Sequence, residues 1–194
     1  YFNKKSLMKI AIASSGHIPS QWAHSINIVK HANAFLKLGH EIELISVKRF
    51  KEDQLLKKIS NIYNWYGIDI LPIKYFKDNS IFYFKEKKYL KIILKLANYF
   101  LPEFLKRAFD PEKKISQYIK SKNFDLCFAR TYNVVKYNIE NKIPTILETH
   151  NSSPKKIKNL KELLNLSQSK YFLGLVTIHD KLKENFLKLG VPKE

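Results

Sequence analysis

Lys9 to Val47 reads KIAIASSGHIPSQWAHSINIVKHANAFLKLGHEIELISV, and its pattern is strand, loop, helix, tight turn, strand. Lys9 to Ser14 is short and apolar and is bounded by Ser15 and Gly16, as a strand buried on both faces would be. The loop Gly16-His17-Ile18-Pro19-Ser20 follows, with Ser20 placed to cap a helix opening near Gln21. Ile26, Val29, Ala32 or Asn33, and Leu36 recur at helical spacing and give that helix one face to pack on a sheet. Gly39 suits the left-handed residue that ends it. Glu41 to Val47 returns as a second strand, so the unit is a right-handed parallel crossover. Ligands of open α/β sheets bind beyond the carboxyl ends of the strands, which makes the GHIPS loop the first place to look for a site.

The same alternation continues outward. Asp53 to Tyr63 reads as a short helix and Ile68 to Tyr75 as a third strand, with Pro72 favouring an edge. Phe82 to Phe100 has helical period until Pro102, and Pro111 to Ser121 is a further helix with Ile115, Tyr118 and Ile119 inward. Phe124 to Ala129, Thr145 to Thr149 and Tyr171 to Ile178 read as strands four to six. The helices between and after them are Thr131 to Asn141, one from the His150 turn to about Leu166, and Asp180 to Leu189, closed by Gly190. Strands alternating with helices throughout imply an α/β fold, a doubly wound, Rossmann-like parallel sheet of six or seven strands.

The 194 residues suffice for one α/β domain, with 45% hydrophobic content. No apolar run approaches the length of a membrane span, and no secretory signal pattern is visible. Residues 1–8 read as a leader ahead of the domain, which occupies 9–194. Cys127 is the single cysteine, so neither an intrachain disulfide nor a cysteine-based zinc cluster is available, and the cytoplasm is the expected compartment. The net charge of +18 comes almost wholly from lysine, since Arg49, Arg107 and Arg130 are the only arginines. Two readings fit it: compositional bias in a chain rich in Lys, Asn, Ile and Tyr, or attraction to an anionic surface. Nucleic acid is not the expected partner, because arginine is scarce and the basic residues are scattered. The lysine stripe Lys88, Lys91, Lys95 likewise suits a solvated helix face or a helix lying on an anionic membrane with Tyr83, Tyr89, Tyr99 and Phe100 at the interface.

Several common chemistries lack their motifs. Gly16 stands alone where a dinucleotide fold has G-x-G-x-x-G, and Lys48 and Arg49 stand where it has an acid after the second strand. There is no P-loop, nucleophile elbow or H-E-x-x-H. His24, His31, His40 and His179 lack the carboxylate company of a metal site and read as structural.

Four stretches carry a resemblance: SSGHIPSQWAHSINIVKHANAF, LGHEIELIS, the pair DLCFAR and ILETHNS, and GLVTIHDKLKENFLKLGVPKE. In this order and spacing the chain resembles the amino-terminal, acceptor-side domain of a GT-B glycosyltransferase, most closely glycosyltransferase family 4. The resemblance implies an enzyme whose active site lies between two halves. The donor-binding half would lie beyond Glu194, so this piece alone would be inactive. The implied substrates are a nucleotide-diphosphate sugar and a glycan or lipid-linked acceptor, with transfer by retention in cell-surface polysaccharide synthesis. No cofactor or metal is implied, and the anionic inner face of the membrane is a possible support. The rival class is a non-catalytic basic α/β module that docks on such a membrane or on a separate donor-binding chain.

By this resemblance His150, at a strand end, lies beside the transferred sugar, where an imidazole can hydrogen-bond a hydroxyl or the developing leaving-group charge; otherwise it is a turn residue capping the next helix. Gly16 and His17 would approach the donor diphosphate at a helix amino terminus. Ser20, Trp22 and His24 would shape the acceptor pocket, or merely pack. Arg130 can fork onto a carboxylate or phosphate. Glu148 shares a strand side with His150 and can orient a ligand hydroxyl or pair a lysine. Asn151 and Ser152 can donate to ligand or cap the helix. On this reading Gly16 and His150 sit on the tips of adjacent strands and form one wall of a cleft.

Overall fold

A computed structural model of the chain describes residues 7–14, 18–48, 58, 61–69, 71–77, 110–149 and 160–192. Six parallel strands form one sheet: β1 (Lys9–Ser14), β2 (Glu41–Lys48), β3 (Ile73–Lys77), β4 (Leu126–Ala129), β5 (Thr145–Thr149) and β6 (Phe172–Thr177). Their spatial order is β3-β2-β1-β4-β5-β6. This is the doubly wound, Rossmann-like α/β fold that the alternation implied.

The helices divide between the two faces. On one, α1 (Ala23–Lys37) sets Ile28, Val29 and Ala32 against Ile10, Ile12, Ile42 and Leu44. The short α2 (Ile62–Tyr66) adds Tyr66 to the same layer. On the other face, α3 (Pro111–Ser121), α4 (Tyr132–Glu140), α5 (Leu160–Leu166) and α6 (Asp180–Lys188) cover Ala11, Ala13, Cys127, Ala129 and Leu147. Alternation along β1 thus sends isoleucines to one layer and alanines to the other. Ile10 to Ser14 are all buried, as a strand paired on both edges and covered on both faces requires.

Local chemistry fixes most boundaries. Gly39 and Gly190 follow α1 and α6 at φ +92° and +91°, where a side chain would be strained. Asn61 caps α2 by accepting from the amides of Tyr63 and Asn64. Because Asn61 is extended (φ −150°, ψ 116°), the helix expected over Asp53 to Tyr63 cannot run through it; most of that stretch lies outside the described residues. The third strand begins at Ile73, after Pro72, and lies at a sheet edge. Ser20 does not cap α1. Its hydroxyl is 2.8 Å from Ser25 Oγ and accepts from the Trp22 amide at 3.3 Å, so the helix opens later, at Ala23. The expected helix over Phe82 to Phe100, the start of the one before Leu166, and residues 1–6 lie outside the described residues. None of the described helices is long and apolar enough to cross a membrane.

Asp110 ties α3 to α4. One carboxylate oxygen accepts the Glu112 amide at 3.0 Å and the other the Tyr137 hydroxyl at 2.7 Å. Burial pushes the Asp110 pKa up, but the hydrogen bonds from Glu112, Tyr137 and the Lys113 amide outweigh it and hold the group below its usual 3.8. A depressed folded pKa contributes stability that is present above the unfolded value and lost as pH falls through the folded one. Asp110→Ala should therefore cost about 1 kcal/mol at pH 7. The advantage of wild type over Asp110→Asn should shrink between pH 5 and pH 2 in urea titrations; a gap independent of pH would count against the ionised cap. Cys127 is fully buried, and desolvation, opposed in part by the neighbouring Asn138 side chain, pushes its thiol up to about 12. An aromatic disulfide reagent at pH 8 should modify it only as fast as the chain unfolds; modification at the rate of a free thiol would contradict the packing.

Candidate functional site

The chain leaves β1 toward the face of α1 and leaves β4 toward the face of α4, as the two sets of packed residues require. Neighbouring strands whose exits diverge leave a crevice between their tips, and that is where ligands of such sheets bind. The register Ala13↔Ala129↔Leu147 puts the carboxyl ends of β1, β4 and β5 at one level. The Arg130 amide extends the ladder by donating to the Ala13 carbonyl at 3.0 Å.

Arg130 lies at this crevice. Its Nη2 is 3.2 Å from Glu148 Oε1, and the two side chains are only 6% and 3% exposed. Its Nη1 donates to the backbone carbonyl of His24 in the first turn of α1. One guanidinium therefore joins the tip of β4, the end of β5 and the start of α1. Burial lowers the Arg130 pKa from its usual value, and the charge of Glu148 opposes that fall. His31 Nδ1 stands 3.5 Å from Glu148 Oε2, with the imidazole edge-on to Phe128 at 6.4 Å between ring centres.

His31 does gain one carboxylate neighbour, because strand β5 brings Glu148 to it. His40 and His179 have local roles, the first accepting the Met8 amide at 3.3 Å and the second capping α6 through the Leu182 amide at 3.0 Å. Glu148 pairs an arginine rather than a lysine. Among the described residues no group of three or more His, Cys, Asp or Glu is placed to hold a metal ion.

The other candidates separate. Ser20 is buried, and the Tyr66 hydroxyl pins its backbone, accepting from Ser20 N–H at 2.8 Å and donating to Ser20 C=O at 3.1 Å. Trp22 is 67% exposed at the start of α1, edge-on to His24. Gly16, His17, His150, Asn151 and Ser152 lie outside the described residues. Their strands are nonetheless fixed: Gly16 follows β1 and His150 follows β5, at the same end of the sheet. Those strands are not adjacent, because β4 lies between them. Their tips stand two strand spacings apart, about 10 Å, with Arg130 on the strand between.

Sequence reasoning missed His31, the His24 carbonyl, Tyr66 and Trp65. One clue to the ion pair was legible: a carboxylate within the strand TILET needs a buried cation, and the chain offers only three arginines. No family model matches the chain, and no curated protein matches it.

Removing one partner of a buried ion pair strands the other, at a cost of about 3–5 kcal/mol. That is a large share of the roughly 5–15 kcal/mol that holds a domain folded. Glu148→Ala should therefore lower the urea midpoint steeply, and the apolar pair Arg130→Met with Glu148→Leu should recover most of the loss. Equal destabilisation by the single and the double substitution would show that the pairing is not the source.

Proposed function

We propose that this chain is the acceptor-side half of a GT-B glycosyltransferase, as its resemblance to family 4 implies. The observation that carries the reading is the strand order: Gly16, Arg130 and His150 follow three consecutive strands at the crevice end of one sheet. The fold alone hosts many activities; those tips together with the four matching stretches support this one. In this reading the loop with Gly16 and His17 meets the donor diphosphate, and the His150 imidazole meets the transferred sugar. The bond from the sugar's anomeric carbon to the diphosphate oxygen breaks with its electron pair going to the departing nucleotide diphosphate, the acceptor hydroxyl oxygen bonds to that carbon, and the hydroxyl proton passes to the departing diphosphate. Asn151 and Ser152 donate to the sugars. Arg130 and Glu148 act from beneath, by holding the first turn of α1. In this reading a donor-binding half supplies the second wall of the cleft. The protein works in the cytoplasm at the inner face of the membrane, on a glycan or lipid-linked acceptor, without a metal.

The +18 charge favours one rival, a non-catalytic module bound to anionic membrane. Isothermal titration of the complete polypeptide with UDP, GDP and ADP separates the two. Sugar transfer requires saturable binding of one nucleotide, and His150→Ala should cut turnover about 10²–10³-fold with folding intact. Unchanged turnover in His150→Ala removes that residue from the site. Binding to anionic vesicles that collapses with salt, with no nucleotide bound at all, would instead establish the module.

A further inference from the structure

Beside the crevice, the loop after β1 and helices α1 and α2 border an open pocket of about 280 Å³ lined by Ser20, Gln21, Ile26, Lys30, Trp65 and Tyr66. We infer that this pocket binds one pyranose ring carrying an anionic substituent. The inference deepens the sugar-transfer reading and rests on it for the role of the ring as part of the acceptor.

The walls are held in place. The Tyr66 hydroxyl makes both hydrogen bonds to the Ser20 backbone, and the Ser20 hydroxyl is engaged by Ser25. The Trp65 ring packs edge-on against Tyr66 at 4.8 Å between centres. Trp65 and Ile26, both half-buried, give the pocket an apolar side. The exposed Gln21 and Lys30 give it a polar rim. A pyranose has matching parts. Its C–H face suits an indole, its vicinal hydroxyls suit an amide that both donates and accepts, and an acidic group suits an ammonium. Among the described residues Lys30 is the one charged member of the lining. Its volume of about 280 Å³ falls just below the roughly 300–1,000 Å³ of ligand pockets and suits a single ring. Carboxylate and phosphate substituents share the chemistry that Lys30 recognises.

Trp22 and Trp65 are the only tryptophans, so Trp22→Phe leaves the pocket's own indole as sole reporter. Trp22 is largely exposed, and its replacement leaves the core intact. The Trp65 fluorescence of this variant is titrated with glucuronate, glucose 6-phosphate, glucose and inorganic phosphate at constant ionic strength. Glucuronate or glucose 6-phosphate should give a saturable change at millimolar concentration, the tighter of the two naming the acid. Glucose should bind at least tenfold more weakly, and adding Lys30→Ala should erase that difference. No saturable change, an equal response to glucose, an equal response to inorganic phosphate, or indifference to Lys30→Ala would each overturn the inference. Transfer by the complete polypeptide with the acceptor KM unmoved by Lys30→Ala would also reject the pocket while sparing the transferase reading. Binding by the pocket without any transfer would reject the transferase reading and leave a sugar-binding pocket.

Discussion

β1 has to pair with β2 on one edge and with β4 on the other, and much else follows from that double pairing. Ile10 to Ala13 are in register with both neighbours, so the strand can neither slip nor shift a face. The connection to β2 must pass over one face and the connection that follows β4 over the other. The tips of β1 and β4 are thereby left side by side with their chains turning apart. An opening at that point is a consequence of topology, and it comes without any special sequence at the tips.

What the sequence does specify is how the opening is braced. Arg130 spans it, bound to Glu148 below and to the first turn of α1 across the gap. Taking two charges out of water costs several kcal/mol for each, and their attraction returns that only when geometry and further hydrogen bonds are good. The His24 carbonyl supplies one such bond, and the half-exposed His31 adds a polar neighbour beside Glu148 Oε2. The pair is thus a poor source of net stability but a strict positional device. Any displacement of α1 from β4 would break a contact to a charge that has no water to replace it. With exposures of 6% and 3%, neither side chain offers much surface to a ligand. Direct recognition falls to the exposed rim, and the buried pair acts by fixing where the loop from β1 emerges.

Legibility followed the range of the interactions involved. β1, α1, β2 and α6, with the glycines that end the two helices, depend on periodicity and on residues a few positions apart, and a single pass over the chain finds them. The opening of α1 was misjudged because Ser20 looks like a cap in isolation. In the fold its hydroxyl is taken by Ser25, and its backbone by Tyr66, 46 positions away. The brace is a non-local object: Arg130 meets a carbonyl 106 positions distant. No window of sequence contains it. The same reasoning explains His31, whose carboxylate partner comes from a strand on the other side of the switch in strand order. Where the sequence was explicit, at the Gly16 and His150 turns, the meaning came from resemblance rather than from local pattern.

The lysine excess has to be weighed apart from all of this. The described surface pairs, Lys9 with Glu41 at 3.3 Å, Lys37 with Asp69 at 3.3 Å and Lys136 with Glu162 at 2.7 Å, are each of the kind worth about 0–1 kcal/mol. They leave a large surplus of positive charge that repels itself and favours expansion of the chain. A surplus of this kind attracts anions of every shape, but only over a Debye length of about 8 Å at physiological salt. It can raise encounter rates without choosing between ligands. Choice requires a cation beside an apolar wall, and Lys30 lines the same pocket as Trp65 and Ile26. Salt should therefore separate the two effects, weakening general attraction steeply while preserving the preference that the pocket makes between a charged sugar and a neutral one.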